Sequence, residues 1–105
     1  MAEEVRLCAR DDLEPSTARR FDVGDHRIAV VRIGDDCYAV GDRCSHEDYS
    51  LSEGAVLAEE CEIECWKHGS TFDLVTGEPC SLPAVKAVPT YRLTVRGGDL
   101  FVDLP

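Results

Sequence analysis

Two short motifs in this chain combine cysteine with histidine, whose thiolate and imidazole groups are common metal ligands. Cys44 and His46 are separated by one residue, Cys65 and His68 by two, and eighteen residues lie between the motifs. Each motif therefore offers one ligand of each kind. Such mixed pairs suit an asymmetric binuclear centre, in which one metal binds both thiolates and the other binds both imidazoles.

A single zinc ion is the first alternative for two cysteines and two histidines. Structural zinc sites usually pair like ligands with the spacing Cys-x2–4-Cys and His-x3–5-His, so that one turn presents both. Neither spacing occurs among these four residues. The second alternative is an empty site, in which the residues are only buried cysteines and surface histidines. The mixed pairs favour the binuclear centre over both.

The motifs resemble those of the Rieske-type ferredoxins that serve bacterial aromatic-ring dioxygenases. Gly69 and Ser70, directly after the second motif, strengthen the resemblance. It extends over nearly the whole chain, including residues 51–54 between the motifs and residues 91–104 at the end.

The resemblance implies one Rieske 2Fe-2S cluster as the cofactor. Cys44 and Cys65 would then bind one iron, and His46 and His68 would bind the other, which is the iron expected to take up the electron.

The same resemblance implies four further residues around the cluster. Ser70 matches a serine that donates a hydrogen bond to sulfur in high-potential members, although it could also be a plain turn residue. Phe72 replaces a tyrosine donor, and the disulfide of those members is absent, so we expect a potential near the lower end of roughly −150 to +300 mV. Pro83 matches a loop that closes over the cluster, or is an ordinary loop proline. Trp66 is expected to cover the cluster, with a partly exposed contact for a partner as the alternative.

The resemblance also implies a function. A monomeric carrier would dock transiently with a flavin-dependent ferredoxin reductase and then with a terminal ring-hydroxylating oxygenase that contains non-haem iron. The sequence has no second iron motif, no Gly-x-Gly-x-x-Gly and no catalytic triad, so we expect a carrier and not an enzyme. The alternatives are a Rieske ferredoxin for another redox or iron-sulfur assembly system, and a structural module without redox function.

Composition limits the location and the partners. The chain has 105 residues and a net charge of −10, which argues against binding to nucleic acid or an anionic membrane. Neither a signal peptide nor a membrane-spanning run is visible, so we expect a cytoplasmic protein. Four cysteines outside the motifs are expected to be reduced packing residues in that compartment: Cys8, Cys37, Cys61 and Cys80.

Strand patterns dominate the rest of the chain and predict an all-β domain. Alternation, apolar runs and glycine turns place strands at residues 5–8, 20–23, 28–31, 37–40, 91–95 and 100–102. One helical turn is expected at 11–17, with Asp11 or Asp12 as its cap and Pro15 in its first turn.

The segment from about 41 to 89 is rich in glycine, proline and the predicted ligands. We expect it to form a loop-rich cluster-binding subdomain, with short strands at 62–65 and 71–74, inserted into a single domain spanning 1–105. The resemblance implies that the remainder is an antiparallel β framework of small stacked sheets, or a sandwich.

Overall fold

A computed structural model of the chain describes residues 3–44, 49–67, 69–80 and 86–104. In chain order, the strands of this described part are β1 (Glu3–Ala9), β2 (Thr17–Val23), β3 (His26–Ile33), β4 (Asp36–Gly41), β5 (Val56–Leu57), β6 (Glu62–Glu64), β7 (Thr71–Asp73), β8 (Thr90–Arg96) and β9 (Asp99–Leu104). Two single 3-10 turns span Arg10–Asp12 and Leu51–Glu53. None of the helical segments described is long and apolar enough to cross a membrane.

Six of the strands form one antiparallel sheet in the order β1-β9-β8-β4-β3-β2. Only two residue pairs join β4 to β8, whereas seven pairs join β2 to β3. The sheet curls at this weak seam, so side chains from both of its halves share one core: Cys8, Leu13, Ile28, Val30, Ala39, Leu100, Val102 and Leu104. This curled antiparallel sheet confirms the predicted all-β fold.

Strand β3 is buried on both faces. Ile28 and Val30 point into the core of the curled sheet, whereas Ala29 and Val31 belong to a second core on the opposite face. None of the four side chains is exposed. A strand covered on both sides needs a continuous apolar run and not an alternating one, which explains this stretch of the sequence. Burial of each large side chain contributes about 1.5–3 kcal/mol.

The second core lies between β3–β4 and a small antiparallel sheet with the order β5-β6-β7. Its buried members come from these strands and from the connections between them: Ala29, Val31, Val40, Cys44, Leu51, Ile63, Cys65, Phe72, Leu74 and Val88. The small sheet therefore packs the segment that contains the two motifs onto the large sheet.

Gly54 brings the second 3-10 turn directly against β6. A Cβ atom at this position would lie 1.7 Å from the carbonyl oxygen of Glu64. The φ angle of Gly54 is −88°, which any residue can adopt, so the requirement for glycine is one of space. The Glu64 N–H donates to the carbonyl of Ala55 at 2.9 Å and fixes the approach.

The predicted helical turn at 11–17 is wrong in its extent and its capping. The observed turn covers Arg10–Asp12, and Ala9 precedes it without any side-chain cap. Leu13 is extended and buried in the core of the curled sheet, which draws the chain out of the helix. Pro15 lies in the next turn, because a proline disfavours helical geometry in the residue before it.

The predicted strands are present, with β6 and β7 each ending one residue before the predicted boundary. Strand β5 and the turn Leu51–Glu53 were not predicted. Both are very short, and tertiary contacts with β6 and β3 hold them in place.

Candidate metal centre

Two hairpin loops of equal length carry the predicted ligands. The first spans residues 44–49 and the second spans residues 65–70. Each loop is flanked by one antiparallel residue pair: Arg43 with Ser50, and Glu64 with Thr71.

The same hydrogen bond closes both loops. The Cys44 N–H donates to the carbonyl of Tyr49 at 2.9 Å, and the Cys65 N–H donates to the carbonyl of Ser70 at 2.7 Å. In the second loop, the Gly69 N–H also donates to the carbonyl of Cys65 at 2.9 Å. Gly69 has a φ of +73°, a left-handed conformation that glycine adopts without strain. The backbone hydrogen bonds therefore close the two loops in the same way, between the cysteine and the residue five positions after it.

Both cysteines of the motifs are buried in the second core. Their exposed fractions are 1% for Cys44 and 0% for Cys65. Ile63 and Phe72 line the same core. One thiol from each loop thus enters a common apolar environment on a fixed backbone. This donor set fits a metal centre that takes one thiolate from each loop.

Three predicted site residues lie outside the described residues. These are the imidazole ligands His46 and His68, together with Pro83 of the third loop.

Ser70 and Phe72 are completely buried. The burial of Ser70 favours a role inside the site over that of a plain turn residue, because polar turn residues are usually exposed. Phe72 lies on β7 opposite Ile63 and shares a core with both cysteines. Phe72 therefore lies in the core that holds the two predicted thiol ligands, and Ser70 bonds the backbone of one of them, while the predicted hydrogen bond from Ser70 to sulfur stays a prediction.

Trp66 of the second loop contacts the closing end of the first loop. Its ring meets Tyr49 of the first loop edge-on, with a centroid distance of 5.2 Å. The ammonium group of Lys67 lies 5.9 Å from the Trp66 ring centre and 6.0 Å from that of Tyr49, within the range of cation–π attraction. Trp66 is 48% exposed, which favours the alternative, contact with a partner, over the expected cover of the cluster.

Two residues near the loops were not predicted from sequence. Tyr49 occupies the same position in the first loop as Ser70 does in the second, and comparing the two loops position by position could have indicated it. Asp42 is fully buried and lies two residues before Cys44, the first residue of the first loop. In the sequence, Asp42 could have been noticed as a single acidic residue directly after the apolar end of β4.

The remaining cysteines are free thiols, and only some are packing residues. Burial raises the pKa of Cys8 and of Cys37, as expected for side chains in or against the core. Cys61 packs against the second core, and its hydrogen bond with Tyr38 raises the pKa of that tyrosine.

The predicted packing role of Cys80 is wrong, because the residue is exposed. Its N–H donates to the carbonyl of Thr71 at 2.7 Å, which places it along the outer edge of β7. Partial desolvation and the Glu62 carboxylate raise the pKa of the Cys80 thiol, so the thiol is protonated at neutral pH.

Comparison with known proteins gives a family match and similar relatives. A family model described as the Rieske [2Fe-2S] domain matches residues 3–92. The 3-phenylpropionate/cinnamic acid dioxygenase ferredoxin subunit of Escherichia coli K12 is 41% identical over 101 residues, which are 96% of this chain and 93% of the relative.

Solved structures of ferredoxins from dioxygenase systems are also similar to this chain. The ferredoxin of carbazole 1,9a-dioxygenase from Nocardioides aromaticivorans IC177 is 40% identical, with a TM-score of 0.92 over 94% of this chain and 95% of that chain. A second match is 38% identical, with a TM-score of 0.87 over 94% of this chain and 91% of that chain. It comes from a complex of reduced oxygenase and oxidized ferredoxin in carbazole 1,9a-dioxygenase.

These matches confirm three predictions: the Rieske ferredoxin fold, the 2Fe-2S cofactor, and the role of an electron carrier instead of a catalyst. The chain belongs to the Rieske [2Fe-2S] domain family.

Proposed function

We propose that this chain is the ferredoxin of a ring-hydroxylating dioxygenase system. It takes one electron from a flavin-dependent ferredoxin reductase and passes it to a terminal oxygenase that contains non-haem iron. The names of the relatives and the solved complex of oxygenase and ferredoxin support the oxygenase as a partner. The chemistry of flavins supports the reductase as the other partner. A flavin can accept two electrons as a hydride from a nicotinamide and pass them on one at a time.

We infer that Cys44, His46, Cys65 and His68 hold the cluster. The observation that carries this proposal is the matched pair of loops, closed by equivalent hydrogen bonds, with one buried thiol in each. When bound, a Rieske cluster accepts and returns a single electron. The chain contributes two loops closed by backbone hydrogen bonds at Cys44 and Cys65, and an apolar core that excludes water from the thiolate side.

The surface formed by Tyr49, Trp66 and Lys67, called the aromatic surface below, is the proposed docking site. Aromatic residues are enriched in interfaces, and a small patch suits the transient contacts that a carrier makes with two partners in turn. Lys67 supplies a positive charge at this point of a strongly acidic chain. A carboxylate on the oxygenase is therefore the group that would fit opposite Lys67 on the aromatic surface.

The same proposal includes the remaining properties of the carrier. The chain acts as a monomer in the cytoplasm, as one domain over 1–105 with a cluster-binding insertion at about 41–89. The free thiols are consistent with a reducing compartment. The net charge of −10 supports protein partners over nucleic acid or an anionic membrane.

Electron transfer to an oxygenase tests the proposal directly. Protein reduced with dithionite is mixed anaerobically with the oxidised oxygenase of a 3-phenylpropionate dioxygenase, and absorbance follows reoxidation in a stopped-flow instrument. We expect fast, saturable reoxidation that slows several-fold in Trp66→Ala. Exposed Val95 lies on β8, outside the loops, and Val95→Ala is the control that keeps the wild-type rate. Reoxidation no faster than with serum albumin would contradict the proposal.

A further inference from the structure

Asp42 is a fully buried carboxylate at the base of the first loop. Its Oδ1 atom accepts the N–H of Ser52 at 2.8 Å, and its carbonyl accepts the N–H of Leu51 at 2.6 Å. Its own N–H donates to the carbonyl of Arg27 at 2.9 Å. Asp42 therefore ties β3 and the second 3-10 turn to the start of the loop that contains Cys44.

The second carboxylate oxygen is not matched in the same way. Among the described residues, Asp42 Oδ2 has no hydrogen-bond partner. Arg20 Nε on β2 lies 3.7 Å away, which is an ion-pair distance. Arg20 is itself shared, because the same Nε donates to Asp22 Oδ1 at 3.0 Å. Within the part of the chain that the structure describes, Asp42 Oδ2 thus has an ion-pair contact with Arg20 but no hydrogen bond.

The hydrogen bonds alone do not explain why this residue is charged. An asparagine would offer the same Oδ1 acceptor to Ser52 without the free-energy cost of burying a carboxylate. What a carboxylate provides and a neutral amide does not is a negative charge, which pairs with Arg20 and also acts on any change of charge at the adjacent loop.

We propose that the negative charge of the buried Asp42 side chain lowers the reduction potential of the cluster. Asp42 and Cys44 are two residues apart, so their Cα atoms are separated by at most about 7 Å. A carboxylate buried beside this loop is little screened by salt, so its field acts over several ångströms on a charge that changes at the loop. Reduction by one electron leaves one more negative charge at the site, which a nearby carboxylate disfavours. This inference rests on the proposed ligation by the first loop.

Arg20 acts in the opposite direction in this arrangement. Its guanidinium partly offsets the Asp42 charge, so Arg20 raises the potential relative to a chain without it. The proposal thus predicts opposite signs for the loss of Asp42 and the loss of its ion-pair partner.

The first experiment compares Asp42→Asn with Asp22→Asn. Both variants remove one carboxylate that faces Arg20, but the Asp22 side chain is 60% exposed and the Asp42 side chain is not exposed. Midpoint potentials are measured by spectroelectrochemistry at low and high salt, together with iron content and the EPR spectrum. We expect a higher potential in Asp42→Asn that persists at high salt, full iron content, and a smaller shift in Asp22→Asn that fades with salt.

The second experiment compares Arg20→Gln with Arg19→Gln, which removes an exposed arginine stacked 5.0 Å from the Phe21 ring. We expect the potential to fall further in Arg20→Gln. This pair leaves Asp42 in place and therefore decides the matter even if Asp42→Asn loses its cluster.

Three results would overturn the proposal. An unchanged potential in Asp42→Asn with full iron content would make Asp42 a structural cap only. Equal potentials in Arg20→Gln and Arg19→Gln would show that the ion pair does not reach the cluster. A wild-type protein without iron and without a Rieske signal would overturn the proposed ligation, and this inference with it, whereas the first two results leave the ligation intact.

Discussion

At the scale of single residues, the proposed chemistry depends on two thiols and two imidazoles, from Cys44, Cys65, His46 and His68. The ligand types and their spacing indicated a mixed binuclear centre, because few sites use one thiolate and one imidazole from each of two short motifs. The contact between Tyr49 and Trp66 joins two separate loops, and no local pattern in the sequence reports that kind of pairing. Asp42 escaped prediction because its burial depends on three elements that meet only in the fold.

Replacing His68 with alanine should abolish the cluster, since the change removes one of the four proposed ligands. His26→Ala is the matched control, because the third histidine of the chain bonds Tyr91 at 3.2 Å and lies outside the two loops. We also expect a lower free energy of unfolding in His68→Ala, because metal binding is coupled to folding. Iron content, EPR and urea unfolding measure these effects. A normal Rieske spectrum from His68→Ala would refute the ligand assignment.

Ser70→Ala should lower the midpoint potential if the buried hydroxyl donates to a sulfur atom of the cluster. Hydrogen bonds to sulfur stabilise the reduced, more negative form, so their loss disfavours reduction. Ser52→Ala is the control, because Ser52 takes part in the site through its peptide N–H. A potential equal to that of the wild type would make Ser70 a turn residue.

At the scale of elements, strands were well predicted and helical turns were not. Alternation and the doubly buried run of β3 leave clear patterns in the sequence. The turn Arg10–Asp12 is shorter than its acidic residues and proline indicated, because burial of Leu13 outweighs local preference. The turn at Leu51–Glu53 depends on a close approach to β6 that only the packed structure shows.

Gly54→Ala should therefore be strongly destabilising. The new methyl group would collide with the Glu64 carbonyl, and overpacking of this kind costs about 3 kcal/mol or more. Gly34→Ala separates space from backbone strain, because Gly34 has a φ of +62° and no atom near its Cβ position. We expect a cost of about 1–2 kcal/mol there. Urea unfolding measures both, and equal costs would contradict the steric explanation.

At the scale of the whole molecule, burial of the Cys8 and Cys37 thiols should make the free energy of unfolding fall as the pH becomes alkaline. The pKa values of Cys8 and Cys37 are raised in the folded chain, so these thiols ionise first in the unfolded chain. Stability is then complete below about pH 8.5, the pKa of a free cysteine, and falls as the pH rises above it. Urea unfolding from pH 7 to 10 should show this decline. Cys37→Ala should weaken the decline, and an unaltered slope would exclude Cys37 as a cause.

The central claim is that the two matched loops bind a redox-active 2Fe-2S cluster. Iron and acid-labile sulfide in freshly purified protein, with EPR before and after dithionite reduction, test it most directly. The prediction is about two irons and two sulfides per chain, with a Rieske-type signal that appears only after reduction. Zinc in place of iron, or anaerobically prepared protein without metal and without signal, would contradict the claim.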